Sequence, residues 1–179
     1  MRLDEALGFW LGPENLGLVT RVQSTPIGGA GYRLEVQPLG MERMVPISAV
    51  GMGVSQILPV LVQGLLAPPT DCLLLFQQPE LHLHPALQEG LADFLLALAM
   101  SGRRVIVETH SEYLVSRLAH NLVDLDWELD NPERYIGLVL VSQNTEDGTT
   151  YRATEIDPLG TINWPEGFFN ESTTTALAT

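Results

Sequence analysis

Two short apolar runs, each closed by polar residues and followed by a helical pattern, constrain the fold of this chain more than anything else in it. Cys72 to Phe76 is a continuous apolar run too short for a helix, and it reads as a strand buried on both faces. Pro85 then opens a helix carrying Leu87, Leu91, Phe94, Leu95 and Leu98 at helical spacing. Gly102 breaks that helix, Val105-Ile106-Val107 gives a second buried strand, and Leu114, Val115, Leu118 and Leu122 mark the next helix. A β-α-β-α order of this kind predicts an α/β fold with a mainly parallel central sheet flanked by helices.

The remaining segments attach to that unit. Leu3, Ala6, Leu7, Trp10 and Leu11 predict a helix over residues 2–11, ended by Gly12-Pro13. From Leu18 to Val50 the pattern alternates, with runs at 18–22 and 32–36 separated by Pro26 and the glycines Gly28, Gly29 and Gly31, which predicts an N-terminal β-hairpin region. No Lys-Ser/Thr follows those glycines and no helix pattern starts there, so they read as a turn and not as a phosphate cradle. Leu58, Leu61, Val62 and Leu65 predict a helix with Pro59 near its first turn, ended by Ala67-Pro68-Pro69. Residues 135–141 and 151–156 read as strands joined across Asn144 to Gly148 and extending the sheet antiparallel. We expect a single domain over residues 1–170 and a frayed tail over 171–179, where no periodicity is present.

Composition removes several chemistries. The net charge is −13, which argues against a lobe that binds nucleic acid by neutralising phosphates. All nine basic residues are arginines, so neither a phosphate-loop lysine nor a Schiff-base lysine is present. Cys72 is the one cysteine, which rules out an internal disulfide and a cysteine-rich zinc site and fits a reducing compartment. No apolar leader core or long apolar stretch is present, so a soluble, cytoplasmic chain without membrane contact is expected.

Polar residues stand where open α/β sheets hold their ligands, at the carboxyl ends of strands. Gln77-Gln78-Pro79-Glu80 closes the first apolar strand, and Glu108-Thr109-His110-Ser111 closes the second. If the strands are parallel neighbours, both clusters share one sheet edge. A third piece, Gly51-x-Gly53-x-Ser55-Gln56, offers close backbone approach, helix N-terminal N–H groups and a hydroxyl, a combination suited to a phosphate; its alternative reading is an ordinary serine helix cap.

In this order and spacing the segments resemble the distal half of an ABC-class ATPase. Gly53-Val54-Ser55-Gln56 resembles the signature motif, Leu73 to Glu80 the Walker B strand, Leu81-His82-Leu83-His84-Pro85 the D-loop and Glu108 to Ser111 the switch-histidine loop. The nearest likeness is to the C-terminal lobe of bacterial ATPases related to the overcoming-lysogenization-defect type of phage-defence systems, whose C-terminal motif Trp164 to Phe169 also resembles. The resemblance implies ATP and Mg²⁺ as cofactors, with Gly51, Gly53, Ser55 and Gln56 holding the γ-phosphate of a partner's nucleotide and His110 sensing phosphate in cis. It also implies partners: a proximal half or homologous ATPase subunit, with a dimer expected, and a nuclease effector of the kind found in defence systems.

The sequence departs from the pattern in two places. A Walker A loop is missing from these residues, and those groups normally bind the β- and γ-phosphates. Gln77 stands where the pattern calls for an acidic Mg²⁺ ligand, and Gln78 where many such ATPases place the general base, leaving Glu80 as the nearest carboxylate able to polarise water. Two other readings stay open. One is a metal-dependent hydrolase with Zn²⁺ or Mn²⁺ on His82, His84 and His110; the other is a non-catalytic pairing subunit whose missing half leaves apolar surface exposed. For Trp164, Phe168 and Phe169, packing is the expected role.

Overall fold

The computed structural model describes residues 2–29, 31–125, 136–144, 148–154, 156, 160–162 and 164. They form two compact units, Met1–Leu114 and Val115–Thr179.

The first unit begins with α1 (Leu3–Leu11), whose buried Ala6, Leu7 and Leu11 lie at helical spacing. Strands β1 (Val19–Pro26), β2 (Tyr32–Pro38) and the short β3 (Val45–Pro46) follow as an antiparallel sheet in that order. Helix α2 (Met52–Leu66) then leads to β4 (Leu73–Gln77), α3 (Pro85–Met100), β5 (Arg104–Glu108) and α4 (Glu112–Leu125). The expected β-α-β-α unit is therefore present, and β4 and β5 pair in parallel from Leu73↔Arg104 to Gln77↔Glu108.

The core of this unit is built from fully buried Leu7, Leu11, Val19, Val36, Ile57, Leu61, Leu91 and Phe94. Trp10 of α1 stands edge-on to Phe94 of α3, with ring centroids 4.9 Å apart. Helices α2 and α3 approach closely at Gly64, where a Cβ would lie 2.7 Å from both Leu98 Cδ1 and Phe94 Cζ. The C-terminus of α3 is closed by Gly102 at φ +90°, with Gly102 N–H donating to Ala99 O and Arg103 N–H to Leu98 O. That is the left-handed helix stop for which glycine is preferred.

Three expectations need correction. β4 is buried on one face only: Leu74 and Phe76 are inside, whereas Leu73 is 48% and Leu75 62% exposed, with Ile106 of β5 beside Leu75 at 57%. The two strands pair only with each other among the described residues. Pro59 lies in the middle of α2 and not near its first turn, because the helix starts at Met52. Its ring sits on the exposed side, where the N–H it lacks costs less than in a packed interior.

The third correction concerns the second unit. Strands β6 (Leu138–Asn144) and β7 (Gly148–Thr154) form the expected antiparallel pair, but among the described residues they make a two-stranded sheet of their own and do not extend the β4–β5 pair. Val115, Ala119 and Ile162 form a small core there, against which Leu138, Ile156 and Trp164 pack, so Trp164 has the expected packing role. Tyr135, Pro165 to Phe169 and the tail 171–179 lie outside the described residues. No helix among the described residues is long and apolar enough to cross a membrane.

Candidate functional site

The parallel register of β4 and β5 sets Gln77 beside Glu108, and both side chains are exposed on the face that carries Leu75 and Ile106. Gln78 N–H donates to Glu108 O at 2.7 Å, which holds the two strand ends together one residue further. The chain then turns sharply. Gln78 has φ +43° and His82 φ +65°, both in the left-handed region, at a cost of roughly 1–3 kcal/mol for each non-glycine residue. Leu81 N–H to Gln78 O and Leu83 N–H to Glu80 O close successive turns, and buried Leu83 anchors the segment. His84 Nδ1 accepts from Ala86 N–H at 3.3 Å, so His84 caps α3 while Pro85 occupies its first turn.

Glu80 is buried, with 7% of its surface exposed. Its Oε1 accepts the backbone N–H of His110 at 3.0 Å, joining the loop after β4 to the loop after β5 across 30 residues of sequence. Its Oε2 is buried without a hydrogen-bond partner. A carboxylate oxygen in that state is costly and calls for a cation, a proton or water.

A second set of bonds holds the His110 loop from the other side. Ser111 Oγ donates to Gln88 Oε1 and accepts Leu114 N–H at 3.0 Å, capping α4. Gln88 Nε2 donates to Leu83 O at 2.8 Å, and Ser111 N–H donates to Thr109 Oγ1 at 3.0 Å. The backbone on both sides of His110 is thereby fixed while its side chain remains exposed. Such an arrangement presents an imidazole at a sheet edge without leaving the loop free to choose its position.

Of the residues expected to carry chemistry, the structure brings Gln77, Gln78, Glu80 and His110 to one sheet edge, together with Glu108. The glycine-serine piece forms the start of α2, with Gly51 as N-cap and Gly53 close against α3, where a Cβ would lie 3.2 Å from Leu87 Cδ1. Ser55 is not the helix cap: it lies in the fourth helical position and its Oγ donates to Met52 O at 2.9 Å. Ser55 and Gln56 are both exposed. The metal-hydrolase reading fails on geometry, since no three His, Cys, Asp or Glu side chains among the described residues gather to hold a metal, and His84 is turned to the α3 terminus. Gln88 was not singled out from sequence, and Ser111 was named only within the switch-histidine segment and not as a helix cap. Ser111 before Glu112 is a readable helix-cap signal, but its glutamine partner carries no signal of its own.

Comparison with known proteins bears on this architecture. The family described as "AAA domain, putative AbiEii toxin, Type IV TA system" matches residues 37–116, the stretch that holds the α2 start and both strand-end clusters. Among solved structures, an SMC ATPase described for ATP-driven dimerization and DNA-stimulated activation aligns with TM-score 0.59 and 16% identity, over 84% of this chain and 82% of that one. The chain shares the fold of SMC ATPase heads. An Smc head bound to the C-winged helix domain of ScpA gives TM-score 0.58 and 14% identity, over 84% of this chain and 40% of that one. The Pyrococcus furiosus Smc head with an extended coiled coil, bound to the C-terminal domain of ScpA, gives TM-score 0.57 and 14% identity, over 84% and 34%. This chain thus spans less than half of these two ATPase heads. No protein of curated function matches it by sequence.

Proposed function

We propose that this lobe is the distal half of an ABC-type ATP-hydrolysing site, completed by a lysine-bearing phosphate loop from other residues, in the same or another polypeptide. The observation that carries this reading is the Glu80–His110 bond, which ties two polar strand ends into one edge of a parallel sheet. In open α/β folds that edge is where ligands bind. The open face of β4 and β5 supports it too, because a continuous apolar strand run is the signature of a sheet covered on both sides. The lobe that brings the lysine is the occupant we assign to that face.

On this reading His110 contacts the γ-phosphate from the cis side, and Gln78 positions the attacking water. Glu80 acts chiefly by holding His110, since one of its oxygens is committed to that loop. Gly51, Gly53, Ser55 and Gln56 meet the nucleotide of a partner, for which the Ser55 hydroxyl must turn away from Met52 O. Mg²⁺ fits the edge in one respect, the buried and unpartnered Glu80 Oε2, and when bound would neutralise charge on the phosphates. The pairing is with a homologous ATPase subunit, as one similar SMC ATPase dimerizes with ATP. The phage-defence setting, the nuclease effector and the cytoplasmic location belong to this proposal through the motif resemblance.

The neutral pair Gln77 and Gln78 favours a second reading, a non-catalytic pairing subunit. Equilibrium ATP binding separates the account from its failure. The chain alone should bind ATP weakly or not at all, and a mixture with a lysine-bearing lobe should bind it tightly. Equal binding with and without that lobe would contradict the half-site proposal.

A further inference from the structure

Gln77 cannot serve a hard dication as a carboxylate would, and the structure shows where the missing charge could come from. We infer that Glu108 supplies the divalent-cation ligand that the Gln77 position lacks. This inference rests on the ATP-site reading and deepens it.

Glu108 is the in-register neighbour of Gln77 on the adjacent parallel strand. Neighbouring strands run about 4.8 Å apart, and register partners project to the same face. Both side chains are exposed on that face, at the strand ends where the sheet edge begins. A carboxylate on Glu108 is therefore displaced by one strand from the position the family pattern uses, while keeping the same height along the sheet.

The other charged groups leave Glu108 available. Its side chain makes no hydrogen bond or ion pair among the described residues. Arg104 shares its face but lies four residues back along β5, about 13 Å at strand rise. Glu80 has given Oε1 to His110 N–H, two residues beyond Glu108, and its Oε2 is the orphaned buried oxygen at the same edge. Glu108 is thus the free, exposed carboxylate at this edge. Mg²⁺ and Mn²⁺ in nucleotide sites take one or two carboxylates and fill the rest of the shell with water and phosphate oxygens, so a larger protein cage is not required. Glutamate is also a disfavoured residue in strands, and here it directly follows the apolar run Val105 to Val107.

The test is Mn²⁺ titration of the full ¹⁵N-labelled chain, read by paramagnetic broadening of backbone amides, without nucleotide. The amides of Gln77, Gln78, Glu108 and Thr109 should broaden at lower Mn²⁺ than those around Asp4 and Glu5. Glu108→Gln should raise the Mn²⁺ needed at those four amides by about tenfold or more, with the rest of the spectrum unchanged. Adding Gln77→Glu to that variant should restore the broadening, because the charge returns to the same edge one strand away. Broadening in Glu108→Gln equal to that of the unaltered chain, or none at these amides in the unaltered chain, would overturn the assignment. ATP binding by the completed pair is a separate readout: its loss with the Mn²⁺ pattern intact would remove the ATP-site reading and leave Glu108 as a cation ligand.

Discussion

Glu80 has two oxygens in different circumstances, one bonded to His110 N–H and one buried without a partner. Glu80→Ala would leave the His110 N–H unsatisfied and should destabilise the chain by about 1–3 kcal/mol, read as a lower urea midpoint. Glu80→Gln keeps an acceptor oxygen and should lose clearly less; equal losses would show that the His110 bond contributes little. The identities of Gln77, Gln78, Glu80 and His110 as edge residues were legible because apolar strand runs end on them. Their connections were not. The Ser111–Gln88 bond spans 23 residues, and a neutral glutamine inside a helical pattern looks like any solvated position. The left-handed backbone at His82 was equally hidden, since positive φ is uncommon at any non-glycine residue and nothing in Leu81 to His84 marks one position for it.

At the scale of elements, most helices and strands fall where hydrophobic periodicity puts them, because α1, α3 and α4 each bury one apolar stripe. Failure came where a local rule met a longer-range constraint. A proline rule would start α2 close to Pro59, but the segment before it is helical and carries buried Val54 and Ile57. The apolar run of β4 correctly signals a strand but not its burial, since Leu73 and Leu75 are exposed and only the face of Leu74 and Phe76 is covered. Close packing at Gly64 gives a sharper prediction of sign. Gly64→Ala should gain about 1 kcal/mol of helix propensity, yet its Cβ would meet Leu98 and Phe94 at 2.7 Å, and Phe94 is fully buried. Overpacking of this kind costs about 1–3 kcal/mol, so we expect net destabilisation in urea unfolding. A stabilised variant would mean that α2 and α3 separate freely.

For the molecule as a whole, the absence of lysine and the open apolar face of β4 and β5 both bear on the half-site proposal. Composition revealed the first and could not reveal the second, because exposure depends on what packs against a strand and not on the strand's own residues. The ATPase-head fold is shown by architecture at 14–16% identity, a level at which fold is shared and activity has to be measured. The direct measurement is steady-state ATP hydrolysis by the chain alone, by a lysine-bearing lobe alone and by the two together, each with unaltered chain and with His110→Ala. The account predicts turnover in the mixture only, reduced at least about a hundredfold by His110→Ala, the scale of losing one well-placed charge-stabilising group. Turnover by the lysine-bearing lobe alone, unchanged when this chain is added and indifferent to His110→Ala, would contradict it.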